Sequence, residues 1–137
     1  MIKIIVVTHG DFGAYLIEAA EGIAGAQKEG LKNVSISPKM SLEIINEVIS
    51  KAVEELGTQE GLIFMTDMPG GTPMNVSLSI AAKIENSAVI CGINISMMIS
   101  AFMNRKNMDL EKLVEKIVND GKRSICEVKS LLKKQNI

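Results

Sequence analysis

The only histidine in the chain, His9, lies just after a short apolar run at residues 2–7 and directly before Gly10. An imidazole can act as a nucleophile, a proton carrier or a metal ligand near neutral pH. A lone histidine at the end of a strand is also common in a purely structural role. A metal site would need more ligands, and the sequence has no second histidine and no clustered cysteines or carboxylates. We therefore expect no metal and no other cofactor, and any histidine chemistry must take place on His9.

A second segment suited to chemistry has the sequence Asp67-Met68-Pro69-Gly70-Gly71-Thr72-Pro73. Thr72 can cap a helix that opens at Pro73, and the two glycines let a ligand approach the backbone closely. The free N–H groups at the start of such a helix attract an anion such as a phosphoryl group. The Lys-Ser/Thr ending of a Walker phosphate loop is missing. Taken alone, the segment also fits an ordinary loop before a well-capped helix.

Short apolar runs alternate with amphipathic segments along the chain, which is typical of an α/β domain. Strands are predicted at residues 2–7, 34–37, 61–66 and 88–91, and helices at 42–56, 72–84, 96–103, 109–119 and from Phe12 onward. Residues 125–132 fit either a helix or a strand. We predict a single domain over residues 1–137 with a doubly wound, mostly parallel sheet of four strands in the order 2-1-3-4.

This topology predicts that His9 and Asp67 face each other. His9 follows the first predicted strand and Asp67 follows the third, so both lie at the carboxyl edge of the sheet. In doubly wound sheets, ligands bind at this edge where the strand order reverses, which for the order 2-1-3-4 is between strands 1 and 3. The predicted helix start at Thr72 lies at the same edge. A reactive imidazole, a carboxylate and an anion site are thus expected to converge.

Composition excludes several other classes of function. The 137 residues carry a net charge of -1 and only 3% aromatic residues, so neither a basic nucleic-acid surface nor a base-stacking surface is expected. No apolar stretch is long enough to span a membrane, and the N-terminus lacks the pattern of a signal peptide. Cys91 and Cys126 are too far apart in sequence to suggest a disulfide framework. We expect a cytoplasmic protein that binds no nucleic acid.

Several groups of residues resemble one known family in their order and spacing. Thr8-His9-Gly10 and Thr66-Asp67, followed by Gly70-Gly71-Thr72-Pro73, resemble the enzyme IIA domain of the mannose family in the bacterial sugar phosphotransferase system. The resemblance extends over essentially the whole chain and includes the segments Gly92-Ile93-Asn94-Ile95-Ser96-Met97, Met103-Asn104-Arg105 and Gly121-Lys122.

The resemblance implies a phosphocarrier. His9 would accept a phosphoryl group from phospho-HPr and pass it to enzyme IIB, which phosphorylates sugar entering through a IIC/IID membrane permease. Asp67 would hydrogen-bond one imidazole nitrogen and leave the other to attack phosphorus. Because the chain is too short for a fused IIB domain, IIB is expected on a separate chain.

The resemblance also implies the surroundings of the histidine. Gly70, Gly71 and Thr72 would donate hydrogen bonds to the phosphoryl oxygens, and Thr66 and Asn94 are candidates for lining the same pocket. Asn94 fits a structural role in the turn after Gly92 equally well. Similar proteins are homodimers in which a C-terminal antiparallel strand crosses to the partner, and residues 125–132 are the candidate for that strand.

Three alternatives remain open from the sequence. The phosphotransfer subunit of a dihydroxyacetone kinase uses a similar histidine, although the Met103-Asn104-Arg105 segment and the Gly-Gly-Thr-Pro loop favour the sugar transporters. A non-catalytic anion- or nucleotide-binding module would use His9 only structurally. A phosphohistidine hydrolase or mutase would be expected to have an Arg-His-Gly motif and a second histidine, and the chain has neither.

Overall fold

The computed structural model describes residues 1–135 and has the predicted α/β architecture. Four parallel strands form one sheet in the order β2-β1-β3-β4. The predicted fold class and strand order are therefore confirmed. The elements are β1 Lys3–His9, α1 Phe12–Ala24, β2 Leu31–Ile36, α2 Leu42–Leu56, β3 Leu62–Thr66, α3 Thr72–Ala81, β4 Ser87–Cys91, α4 Ile95–Asn104, α5 Leu110–Arg123 and α6 Val128–Lys134. The predicted domain, residues 1–137, has its last two residues outside the described part.

Both faces of the sheet are covered, which explains why the central strands β1 and β3 are largely apolar. Successive side chains of β1 point to opposite faces, so Ile4 and Val6 enter one cluster while Ile5 and Val7 enter the other. The first cluster packs beneath α1, α4 and α5, and the second beneath α2 and α3. The central strands are thus held rigidly, and the residues at their carboxyl ends are held in fixed positions.

The second strand begins earlier than predicted, at Leu31 instead of Val34. Lys32 and Asn33 interrupt the apolar alternation that the sequence prediction relied on. They belong to the strand because Ile4 of β1 already pairs with Leu31. An edge strand has one neighbour only, so it tolerates such polar residues.

Helix α1 is confirmed, but Phe12 and Ile23, which recur at helical spacing with Leu16 and Ala19, do not face the core. Phe12 and Ile23 are exposed, whereas Gly13 and Ala20 are buried. The helix approaches β1 closely at Gly13, where an added Cβ would lie 2.8 Å from a methyl group of Val6. Only a residue without a side chain permits this contact, so α1 packs on the sheet through Gly13 while Phe12 lies on its exposed side.

The C-terminal segment that fitted either a helix or a strand is helical in this single chain. Val128–Lys134 form α6, which contains no buried residue. Ile125 and Val128 are exposed. Within residues 1–135 the sheet has four strands, so an exchanged fifth strand and the homodimer it would join remain predictions. In the same described part, no helix is both long and apolar enough to cross a membrane.

Arg105, directly after α4, is only 2% exposed and links distant parts of the chain. Its guanidinium donates hydrogen bonds to the carbonyl oxygens of Gly30 and Glu29, both at 2.7 Å, and to the side-chain oxygen of Gln27 at 2.8 and 3.1 Å. Burial lowers the pKa of Arg105, and the charge of Glu29 opposes that effect. An arginine remains charged in proteins. Its role here is to tie the end of α4 to the α1–β2 connection.

We expect Arg105→Ala to lower the free energy of unfolding by about 3–5 kcal/mol, because several oxygens with little access to water would lose a charged donor. Arg123→Ala is the matched control, since the Arg123 side chain is 75% exposed in its ion pair with Asp120. An exposed pair contributes about 1 kcal/mol or less. Urea denaturation of both variants measures the difference, and equal losses would contradict the structural role of Arg105.

Candidate active site

His9 and Asp67 meet at the carboxyl edge of the sheet, as the sequence predicted. His9 is the last residue of β1, and Asp67 follows β3 directly. The two strands pair in parallel, with Val7 opposite Thr66, so their ends lie side by side. One carboxylate oxygen of Asp67, Oδ2, lies 2.8 Å from Nδ1 of the His9 ring and accepts the backbone N–H of His9 at 3.0 Å. The carboxylate therefore holds both the main chain and the ring of one residue.

This contact distinguishes the two nitrogens of the imidazole. In the neutral ring, a proton on Nδ1 is donated to the carboxylate and the lone pair is left on Nε2. The His9 side chain is 49% exposed, so a reactant can approach it from solvent. The arrangement suits a nucleophile that reacts through Nε2.

Asp67 is the buried member of the pair, with a side chain that is 13% exposed. Burial by itself raises the pKa of its carboxyl, but the hydrogen bonds from the backbone and ring of His9 outweigh burial and hold that pKa below its usual value. Asp67 is thus ionised near neutral pH. Its other oxygen, Oδ1, is buried, and no group among the described residues donates a hydrogen bond to it.

The loop after Asp67 approaches the imidazole at Gly71. An added Cβ on Gly71 would lie 2.9 Å from Cε1 and 3.5 Å from Nε2 of His9. Gly70 differs, because it has free space around it and needs glycine for its backbone angle, φ +79°. The two glycines are thus required for separate reasons, one for space beside the ring and one for the turn.

The start of α3 differs in detail from the sequence prediction. Thr72 is the first helical residue, and the capping position is occupied by Gly71, which provides no side-chain cap. The prediction that Thr72 caps the helix is therefore wrong. It failed because Pro73 fits the second helical position as well as the first, which moves the boundary by one residue. The first N–H groups of α3 consequently have no side-chain cap and lie at the edge where His9 is exposed.

A cavity of about 340 Å³ lies beside His9 and Thr72. Its other walls come mostly from the end of β2, the first turns of α2 and the connection between them, which the sequence did not assign to the site. The signal was present in the predicted topology, because β2 neighbours β1 and its following loop must reach the same edge. These lining residues are Gly10, Ile36, Ser37, Pro38, Met40, Leu42 and Ile45.

Thr66 and Asn94 do not line this cavity. The hydroxyl of Thr66 is buried and donates to the carbonyl oxygen of Ile90 at 3.1 Å, which ties β3 to β4. The side chain of Asn94 caps α4 by accepting the N–H of Met97 at 3.0 Å, and it donates to the carbonyl oxygen of Gly121 at 3.3 Å. Both side chains are engaged in holding neighbouring elements. Among residues 1–135, no group of three or more His, Cys, Asp or Glu is placed to hold a metal ion.

Residues 3–118 match the family model described as the PTS system fructose IIA component. The chain belongs to this family. The resemblance to mannose-type enzyme IIA proteins is thereby confirmed, and His9 and Asp67 both lie within the matched segment.

Two curated relatives illustrate the range of the family. The chain is 29% identical over 130 residues to the PTS system mannose-specific EIIAB component of Escherichia coli, which covers 94% of this chain and 40% of that protein. It therefore spans about two fifths of the length of that relative. It is also 29% identical over 117 residues to the PTS system sorbose-specific EIIA component of Lacticaseibacillus casei, covering 85% of this chain and 83% of the relative.

A solved structure of similar size supports the same assignment. The phosphotransferase system component EIIA from Streptococcus agalactiae superposes with a TM-score of 0.85 and is 28% identical. The superposition covers 95% of this chain and 99% of that one. The agreement therefore extends over nearly the entire domain.

Proposed function

We propose that this IIA-family chain is a phosphocarrier of the sugar phosphotransferase system. His9 accepts a phosphoryl group from phospho-HPr and passes it to an enzyme IIB, which phosphorylates sugar taken up through a IIC/IID permease. The observation that carries the proposal is the geometry of His9: Nδ1 is hydrogen-bonded to the Asp67 carboxylate at 2.8 Å, and the ring is half-exposed. The proposal includes a cytoplasmic location, because HPr and the IIB component act there.

The transfer step follows from this geometry. The lone pair on Nε2 of His9 attacks the phosphorus atom of phospho-HPr, an Nε2–P bond forms, and the P–N bond to the donor imidazole breaks. The donor imidazole leaves with the electron pair of that bond. The proton on Nδ1 stays between the ring and Asp67, whose negative charge stabilises the positive charge that develops on the ring. Transfer to IIB reverses these events with a different acceptor.

The start of α3 is the proposed cradle for the phosphoryl oxygens. Backbone N–H groups of Gly70, Gly71 and Thr72 lie around the N-terminus of α3, which has no side-chain cap and where the helix dipole favours an anion. The N–H of Gly70 also points to Sδ of Met74 at 3.4 Å, a weak acceptor that a phosphoryl oxygen would replace. An exposed helix dipole contributes only about 0.3–1 kcal/mol. Such a site holds a phosphoryl group without trapping it, which suits a carrier.

Phosphoryl labelling tests the proposal. The wild-type protein, incubated with enzyme I, HPr and radiolabelled phosphoenolpyruvate, should acquire a label that is lost in acid and kept in alkali, and mass spectrometry should place it on His9. A chase with a mannose-type IIB should remove the label. A protein that acquires no label would be a non-catalytic anion-binding module. A protein that is labelled but does not transfer to IIB would favour the dihydroxyacetone kinase alternative.

We expect Gly71→Ala to slow phosphoryl transfer by about 10²-fold, because the new methyl group would displace the imidazole and misplacing a reacting group by about 1 Å has an effect of this size. The backbone of Gly71 has φ −82°, which alanine adopts readily, so the fold should be preserved. Rapid-quench labelling measures the rate.

Gly22→Ala is the control for this substitution. Gly22 lies in α1 with nothing within 4 Å of an added Cβ, and its φ is outside the positive region that favours glycine. Alanine should stabilise this helix by about 0.5–1 kcal/mol without altering transfer. Wild-type transfer rates in Gly71→Ala would show that the loop does not restrict the ring.

A further inference from the structure

Thr8, the residue before His9, has a fully buried hydroxyl that joins two points on the far side of the histidine. Its oxygen Oγ1 accepts the backbone N–H of Gly13 at 2.8 Å and donates to the carbonyl oxygen of Gly10 at 3.3 Å. The first of these bonds has ideal length, and the second is weak. Together they close the turn from β1 into α1 around His9.

This hydroxyl replaces the usual cap of α1. Asp11 occupies the capping position, where aspartate is favoured, yet its side chain makes no cap hydrogen bond. Thr8 supplies the missing acceptor from within the preceding strand. The start of α1 is therefore fixed to the end of β1, with His9 between the two attachment points.

The surrounding contacts leave the turn little freedom. Gly13 is packed so closely that an added Cβ would lie 2.6 Å from the side-chain oxygen of Asn33. The N–H of Gly10 donates to the carbonyl oxygen of Ile36 at 2.9 Å, and the N–H of His9 donates to Asp67 at 3.0 Å. The N–H groups of His9 and Gly10 are thus tied to Asp67 and to β2, and Thr8 ties the turn to α1 through the N–H of Gly13.

We propose that Thr8 is a positioning residue for phosphoryl transfer. The hydroxyl closes the β1–α1 turn and so fixes the backbone of His9. Because the backbone is fixed, the imidazole points toward Asp67. Thr8 acts through the main chain and is not itself a catalytic residue. The kinetic part of the inference rests on the proposed function, and the geometric part, the orientation of the ring, does not.

The test compares Thr8→Val, which keeps the shape and removes the hydroxyl, with Thr8→Ser, which keeps the hydroxyl. Thr8→Val should lower kcat for labelling by phospho-HPr by about 10-fold or more, with KM unchanged, because a small misplacement of the reacting ring is costly. Thr8→Ser should restore a rate near that of the wild type. NMR shifts of the ring nitrogens should show the Nδ1–H form dominant in wild type and Thr8→Ser, and mixed with the Nε2–H form in Thr8→Val.

Ser100→Ala is the matched control for the loss of a buried hydroxyl. Ser100 is buried and donates to Asp120 at 2.7 Å, between α4 and α5. Its variant should lose stability with no change in the ring signals of His9. If Thr8→Val is less stable but has the kcat and the ring signals of the wild type, the positioning role is overturned. A Thr8→Ser variant as slow as Thr8→Val overturns it too.

If Thr8→Val does not fold, Thr8→Cys offers a weaker acceptor in the same place and should give an intermediate kcat and intermediate ring signals. Wild-type values in Thr8→Cys would contradict the role of the hydrogen bond. If the wild-type protein is not phosphorylated at all, the proposed function fails, while the ring signals of the Thr8 variants still decide whether Thr8 orients His9.

Discussion

Replacing His9 with alanine is expected to abolish phosphoryl labelling. His9 is the only histidine in the chain, so no other imidazole can take over the nitrogen–phosphorus bond. The substitution removes a half-exposed side chain and leaves the backbone N–H of residue 9 free to keep its bond to Asp67. We therefore expect the fold to survive. Labelling by phospho-HPr, with circular dichroism as the check on folding, measures the outcome.

A labelled His9→Ala protein would contradict the assignment, and the chemistry of its label would indicate the true acceptor. A phosphohistidine is lost in acid and persists in alkali, whereas an acyl phosphate on Asp67 would be cleaved by hydroxylamine. A label that hydroxylamine cleaves would identify Asp67 as the nucleophile. A variant that is unlabelled because it is unfolded would be recognised by circular dichroism, and His9→Gln then provides a replacement closer in size.

The second large effect is expected from Asp67→Asn, which should slow transfer by about 10²–10⁴-fold, since loss of an orienting carboxylate has effects up to this size in the catalytic triads of serine proteases. The structure gives a specific reason. Oδ2 receives both the backbone N–H and the ring nitrogen of His9, while Oδ1 is buried and has no donor among residues 1–135. An asparagine must place its NH2 group either against these two donors or in the buried position.

The control is Asp11→Asn, the same substitution two residues after His9. Asp11 is exposed and makes no side-chain cap hydrogen bond with α1. Its variant should transfer phosphoryl groups at the wild-type rate. Equal rates in Asp67→Asn and Asp11→Asn would show that the carboxylate does not orient the ring. NMR of the ring nitrogens should show the Nε2–H form gaining population in Asp67→Asn only.

The lowered pKa of Asp67 also predicts how stability depends on pH. Because the folded-state pKa lies below the unfolded value, the charged carboxylate stabilises the folded protein. This contribution is fully present above the unfolded pKa, about pH 4, and is lost as pH falls through the folded pKa. The stability advantage of wild type over Asp67→Asn should thus be constant near neutral pH and shrink in acid. An advantage that grows in acid would contradict the sign of the shift.

Much of the fold could be predicted from the sequence because its strands are buried on both faces. The residues of β1 and β3 form short β-branched or apolar runs with no competing helical period, so their existence and order were clear. Parallel pairing then placed His9 and Asp67 at one edge without further information. Where burial is partial, as at Lys32 and Asn33 in β2, the same reasoning missed the start of the strand.

The features that the sequence did not predict depend on tertiary structure. They arise from contacts between residues that are remote in sequence, or from steric limits that do not appear in the apolar periodicity. Phe12 is exposed, and the neighbouring Gly13 packs against β1 in its place. Thr72 does not cap α3, because Pro73 takes the second helical position and the cap falls on Gly71, beside the His9 ring. Arg105 looks like an ordinary surface residue in the sequence, and only its five polar contacts with the α1–β2 connection and with Ile2 reveal it as buried.

The sequence by itself determined that this is an α/β domain whose single histidine and a following carboxylate share one edge of a parallel sheet. Those facts depend on local apolar patterns and on the order of strands. Only the tertiary structure decided which ring nitrogen is free. That choice rests on a 2.8 Å contact between residues 58 positions apart, and on a buried threonine hydroxyl that closes the turn around the histidine. Such contacts form only when the core packs, because packing fixes the side-chain conformations that the order of strands does not determine.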